Sequence, residues 1–83
     1  MNKILIELSV PYIEENYNVF IPVNKKVGTI KKYILQSIAE MTDNHIFEET
    51  IFNLYDGESG IKYTNNVYVK DSGIKNGSKL ILL

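Results

Sequence analysis

Between Thr29 and Thr42 this 83-residue chain carries its one stretch of helical periodicity, and that solitude constrains the fold more than any other feature. The apolar positions Ile30, Ile34, Ile38 and Met41 recur at a spacing close to 3.6 residues, with Tyr33 and Ala39 widening the stripe and Leu35 near its boundary. Lys31, Lys32, Gln36 and Glu40 take the other side, and Thr29 is the expected N-cap. A chain of this length buries only about 60–65% of its extended surface, so its core is thin. One amphipathic helix can cover one face of one small sheet. The layer rule therefore predicts an α+β two-layer arrangement, a single domain over 1–83.

The strands are read from alternation. Lys3 to Val10 places Ile4, Ile6 and Leu8 on one face and Leu5, Glu7 and Ser9 on the other, and Pro11 stops the run. Tyr12 to Asn18 is polar and acidic, which predicts a loop. Val19, Ile21 and Val23 then share a face in a second strand, whose Pro22 places it at a sheet edge. The helix should end near Met41 or Thr42, with an irregular turn over Asp43 to Glu49. Thr50 to Tyr55 predicts a strand with Phe52 and Leu54 inward, because Asn53 belongs outside. Asp56-Gly57-Glu58-Ser59-Gly60 is a turn cluster, Ile61 to Tyr63 a short strand, and Val67 and Val69 alternate with Tyr68 and Lys70. The closing run Lys79-Leu80-Ile81-Leu82-Leu83, set up by Asn76-Gly77-Ser78, is the most apolar strand and belongs in the middle of a mixed sheet of four to five strands.

Composition removes several classes of chemistry. With no cysteine and one histidine, neither a disulfide framework nor a Cys/His metal site is expected, and no cofactor. Nine lysines, no arginine and ten acidic residues leave a net charge of -1, which exerts no long-range pull on nucleic acid. Lys62, Tyr63, Tyr68 and Lys70 interleave base-stacking and basic side chains, but lysines that keep an edge soluble explain them as well. The run Ile4-Leu5-Ile6 is too short and too quickly charged for a signal peptide or membrane span, so a cytoplasmic location without membrane insertion is expected. His45 is the one side chain of a type suited to acid–base work near neutral pH, yet Asp43, Glu48 and Glu49 share only its loop. Glu14-Glu15 and Glu48-Glu49 lack calcium-loop spacing. The 56–60 glycines open no Lys-Ser/Thr helix of a phosphate loop.

The order strand, strand, helix, strand, strand resembles the β-grasp fold of ubiquitin. Thr29-Ile30 at the helix start with Tyr33 following, and the run Val69 to Leu82 with its Asp71 turn, Ile74, Ser78 and Leu-rich close, carry the likeness. The length and the Ile21-Pro22 pair look most like the small bacterial YukD-type ubiquitin-like proteins, which are associated with type VII secretion in Gram-positive bacteria and have no conjugating activity. The resemblance implies an antiparallel first hairpin and a final strand parallel to the first, lying between it and the third. Expected core residues include Ile4, Val27, Met41, Val69, Ile74 and Leu80. A ubiquitin-type modifier needs a tail of paired glycines; the ending Ile81-Leu82-Leu83 leads us to expect neither conjugation nor sulfur-carrier work.

A lone helix leaves the second sheet face open. Parity sends Leu5, Phe20, Ile51, Tyr55 and Ile81 there, with Glu7 and Lys79 among them. An apolar patch with a polar rim is how partner sites look. The expectation is a non-enzymatic interaction domain, accessory to or regulating a type VII secretion system, that docks a cytoplasmic domain of a secretion component through this face. Four other readings compete. Leu5 and Ile81 would merely cover one another, the chain would self-associate through the face or the second strand's edge, His45 would anchor a small enzyme, or the chain would be a conventional modifier.

Overall fold

A computed structural model of the chain describes residues 2–48 and 51–83. Strands β1 (Lys3–Val10) and β2 (Glu15–Pro22) form a hairpin, α1 (Val27–Thr42) crosses over, and β3 (Leu54–Asp56) and β4 (Lys79–Leu82) complete a four-stranded sheet of order β2-β1-β4-β3. β1 pairs antiparallel with β2 (Ile6 opposite Val19) and parallel with β4 (Leu8 opposite Leu80); β4 pairs antiparallel with β3 (Leu82 opposite Leu54). This is the α+β β-grasp architecture, with the apolar closing strand at the centre and β2 at an edge, where Pro22 has no ladder bond to lose on its outer side.

The core lies between α1 and one sheet face. Ile6, Leu8 and Val10 of β1, Leu80 and Leu82 of β4, Ile21 of β2 and Leu54 of β3 meet Val27, Ile30, Ile34, Leu35, Ile38 and Ala39 of the helix. Strand period and helix period agree on this surface, which is why a short sequence suffices to build it.

Four expectations are corrected. First, the N-cap of α1 is Lys26, and no side chain caps it; the amides of Val27 and Gly28 donate instead to the carbonyls of Val67 and Asn65 (2.8 and 2.9 Å), and the Lys26 carbonyl accepts from Thr29 and Ile30. Backbone from a distant loop thus does the work assigned to Thr29, and the helix starts three residues earlier. Second, Met41 is 63% exposed, while Phe47, which its loop position had hidden, is 0% exposed. The turn His45–Glu48 swings Phe47 under the sheet, where it stacks on Phe52 at 5.1 Å with Tyr12 edge-on to both, and this aromatic cluster fills the end of the core. Third, the 12–18 loop is shorter than expected. A 3-10 turn over Pro11–Ile13 and a left-handed Glu14 (φ 54°) close it, and β2 begins at Glu15 because an edge strand tolerates Asn16 and Asn18 facing outward.

The fourth correction concerns the chain after the helix. β3 is a three-residue strand, extended by a reciprocal pair of backbone bonds between Asn53 and Leu83; Thr50 lies outside the described residues. Ile61 to Tyr63 contributes a single bridge, Lys62 to Tyr55, and Val69–Asp71 forms a 3-10 turn that buries Val69 against the start of α1. These segments are tied by loop hydrogen bonds rather than by a ladder, so alternation over them does not become a strand.

Candidate interaction surfaces

The face of the sheet turned from α1 is set by register. Leu5 sits opposite Phe20, Glu7 lies between Asn18 and Lys79, and Ile81 lies between Ser9 and Tyr55. Cross-strand neighbours on one face are the interacting unit of a sheet. Six of the seven residues singled out from the sequence therefore fall into three rows: an apolar pair Leu5–Phe20, a polar row Asn18–Glu7–Lys79, and an apolar pair Ile81–Tyr55. Ile51 is exposed in the turn before β3, outside the ladder.

Leu5 and Ile81 do not touch as neighbours would. Ile81 is level with Ser9, four residues along β1 from Leu5, which at a strand rise of about 3.3 Å is roughly 13 Å. The 75–78 segment sets this offset. Asn76 accepts the Leu5 amide on its side-chain oxygen (2.8 Å), Gly77 donates to the Leu5 carbonyl (2.8 Å), and the chain enters β4 only at Lys79. The polar middle row is also a shallow depression of about 480 Å³ between Asn16, Asn18, Glu7, Ser9, Lys79 and Gly57. Gly57 closes one side of it: its amide donates to the Lys79 carbonyl at 2.7 Å, and a Cβ there would stand 2.8 Å from that same oxygen.

A second surface was only half visible in the sequence. Leu5 and Glu7 direct their amides toward the β4 side, so the residues opposite them, Phe20 and Asn18, direct theirs away from the sheet. Beside this unpaired edge runs an apolar groove of about 180 Å³ between β2 and α1, walled by Ile21, Pro22, Ile34, Tyr33 and Met41, with Phe20 at its rim. Phe20, Tyr33 and Met41 are all exposed. The edge was expected from Pro22; the groove was not, and the signal for it was the pair of large side chains, Tyr33 and Met41, on the flank of the helical stripe.

Beneath β3 the turn 56–60 is internally braced. Asp56 accepts from the Ser59 amide (2.8 Å) and from the Tyr63 hydroxyl (3.3 Å). The Ser59 hydrogen bonds hold the Asp56 carboxyl below the usual carboxylate range, and burial, with the Asp56 charge behind it, pushes the Tyr63 phenol up to about 12. The cleft alongside, about 470 Å³, is bordered by Lys62, Thr64, Asp71 and Ser72. The Asp56–Tyr63 pair shapes a turn and offers no activated nucleophile. His45 lies in the exposed turn after α1, away from this cleft. No group of three or more His, Cys, Asp or Glu side chains that could hold a metal ion occurs among the described residues, and no helix among them is long and apolar enough to cross a membrane.

No protein-family model matches the sequence, and no curated protein matches it. Solved structures do match the fold. The ubiquitin-like domain of EccD5 from Mycobacterium xenopi superposes with a TM-score of 0.77 at 9% identity, covering 100% of this chain and 94% of that one. The ubiquitin-like domain of the Mycobacterium tuberculosis type VII secretion system protein EccD1 superposes at 0.74 and 12% identity, covering 100% and 99%. A ubiquitin-like domain from an Arabidopsis thaliana protein gives 0.70 at 19% identity, covering 100% and 78%. The chain thus has the ubiquitin-like β-grasp fold.

Proposed function

We propose that this chain is a non-enzymatic, cytoplasmic ubiquitin-like interaction domain, accessory to or regulating a type VII secretion system, and that it docks a cytoplasmic domain of a secretion component through its open sheet face. The observation that carries the reading is the end-to-end superposition on two EccD ubiquitin-like domains, one described as a type VII secretion protein's domain. Fold likeness alone does not carry function, so the surface must supply the rest. On that surface the pairs Leu5–Phe20 and Ile81–Tyr55 are two apolar anchors set either side of Glu7 and Lys79. A partner that fills both anchors must also meet the charged row between them. The anchors supply affinity, and the row fixes which way round the partner sits.

A second reading within the interaction class is self-association by strand addition at β2, which the outward amides of Asn18 and Phe20 and the neighbouring groove favour. Light scattering across a concentration series tests self-association, and one binding experiment decides which surface docks a partner. Leu5→Ser with Ile81→Ser, and separately Tyr33→Ser with Met41→Ser, are compared for binding to the cytoplasmic domains of the cognate secretion ATPase and membrane components, with circular dichroism as the control for folding. The sheet-face reading expects the first pair to lower affinity at least tenfold and the second to leave it unchanged. The reverse pattern assigns the contact to the groove, and unaltered binding by both removes the sheet face from consideration.

A further inference from the structure

Lysines gather around the start of α1 and carboxylates around its end, with Asp71, next to Lys70 in the 69–71 turn, the exception at the lysine-rich end. At the start of α1, Lys25 and Lys26 lead into the helix and Lys31 and Lys32 lie in its early turns. The 62–70 loop is tied beside them by the Lys26–Tyr68 bridge and by the amides of Val69 and Lys70, which donate to the carbonyls of Lys25 and Val23. There Lys26 and Lys70 each place an ammonium 5.9 Å from the ring centre of Tyr68, and Lys3, level with Pro22, adds a further charge. At the opposite end stand Glu14 and Glu15 of the hairpin tip, Glu40 of the last helical turn and the cap residue Asp43, gathered by the contacts of Tyr12 with Phe47 and Phe52. The sequence has no lysine between Lys3 and Lys25, nor between Lys32 and Lys62.

The helix dipole gains nothing from this sorting. The peptide dipole makes a helix start positive and its end negative, yet α1 has no acidic residue in its first turn and no basic residue in its last. Like charges gathered at each end also repel. The net charge of -1 conceals two opposed clusters toward the two ends of α1, whose 16 residues at about 1.5 Å each span roughly 24 Å. Each cluster is complementary to the other cluster of a second molecule, and only an intermolecular contact can bring the two together.

We propose that copies of this chain associate head to tail, the basic end of one (Lys25, Lys31, Lys32, Lys70) against the acidic end of the next (Glu14, Glu15, Glu40, Asp43). The contact is heterologous, so a row of any length keeps one basic and one acidic end free and grows until screened or capped. It leaves the sheet face uncovered and does not depend on what docks there.

Sedimentation over a concentration series tests this at ionic strength about 0.01 M, where charges reach about 30 Å, and at about 1 M, where they reach about 3 Å. The mean mass should climb with concentration at low salt and return to the monomer at high salt. Lys25→Glu/Lys31→Glu/Lys32→Glu has two acidic ends and Glu14→Lys/Glu15→Lys/Glu40→Lys two basic ones, so each alone should stay monomeric, while their equimolar mixture should associate again. Circular dichroism checks that both triple variants fold; if one does not, Lys32→Glu with Glu40→Lys, two exposed positions of α1, replaces it and should weaken the growth in mass. Three results would overturn the proposal: a wild type monomeric throughout at low salt, association indifferent to salt, or a mixture that stays monomeric. Binding of a monomeric wild type to anionic vesicles would reassign the basic end to a membrane surface and equally overturn it.

Discussion

The two faces of the sheet are made by alternate residues of the same strands, yet they answer to different demands. On the α1 side Ile6, Leu8, Leu80 and Leu82 are essentially sealed. On the other, the alternate positions mix half-buried Leu5 and Ile81 with exposed Glu7 and Lys79. Volume is what counts on the first face, since every side chain there has neighbours on all sides. Position is what counts on the second, where the rows set by register decide which residues can act together. A substitution on one face is therefore a packing experiment and on the other a recognition experiment.

The sharpest way to break the comparison is Phe47→Ala. Removing the ring that stacks on Phe52 and meets Tyr12 leaves a cavity at the end of the core, and denaturant unfolding should show a loss of about 3–5 kcal/mol, a large part of a small domain's stability. Phe20→Ala, the same substitution on the open edge, should stay within about 0.5 kcal/mol of wild type. Near-equal losses would mean the faces are not distinct.

Gly57→Ala probes the seam between them. The added methyl meets the Lys79 carbonyl, which β4 cannot move without disturbing Leu80, so a loss of about 1–3 kcal/mol is expected from the same unfolding curves. The smallest effect is one of pH. Tyr63 has a folded pKa of about 12 against an ordinary 10, so the folded state holds this proton more tightly. Its contribution is complete below about pH 10 and is lost as pH rises toward 12. Asp56, whose pKa is lowered, contributes above the ordinary carboxylate range and loses that contribution as pH falls through it. Tyr63→Phe should flatten the alkaline limb of a stability–pH profile while leaving the acid limb largely in place; an unchanged alkaline limb would show that the Tyr63 phenol is not held buried beside Asp56 in solution.

Much of the fold is legible because it rests on local period. The spacing of Ile30, Ile34 and Ile38 specifies the inner side of α1, Pro22 marks the edge, and the run Leu80 to Leu82 marks the centre. What escaped depends on residues far apart in sequence. Phe47 lies in a 3-10 turn, where no period reveals which side faces in. The cap at Lys26 is made by carbonyls of another loop, so no residue type near the helix start announces it. On the open face, parity within each strand assigns Leu5 and Ile81 to the same side but is silent on how far β4 slides along β1. That offset comes from Asn76 and Gly77, and it turns one imagined patch into two anchors with charges between.

The capping of α1 also has a consequence in time. Val27 donates to Val67, forty residues later, so during synthesis the first turn of the helix emerges well before the backbone that satisfies it. At about 5–20 residues per second that interval is about 2–8 s, long against the microseconds in which a helix forms or melts. The nascent crossover therefore has to persist or fray on its own through that delay.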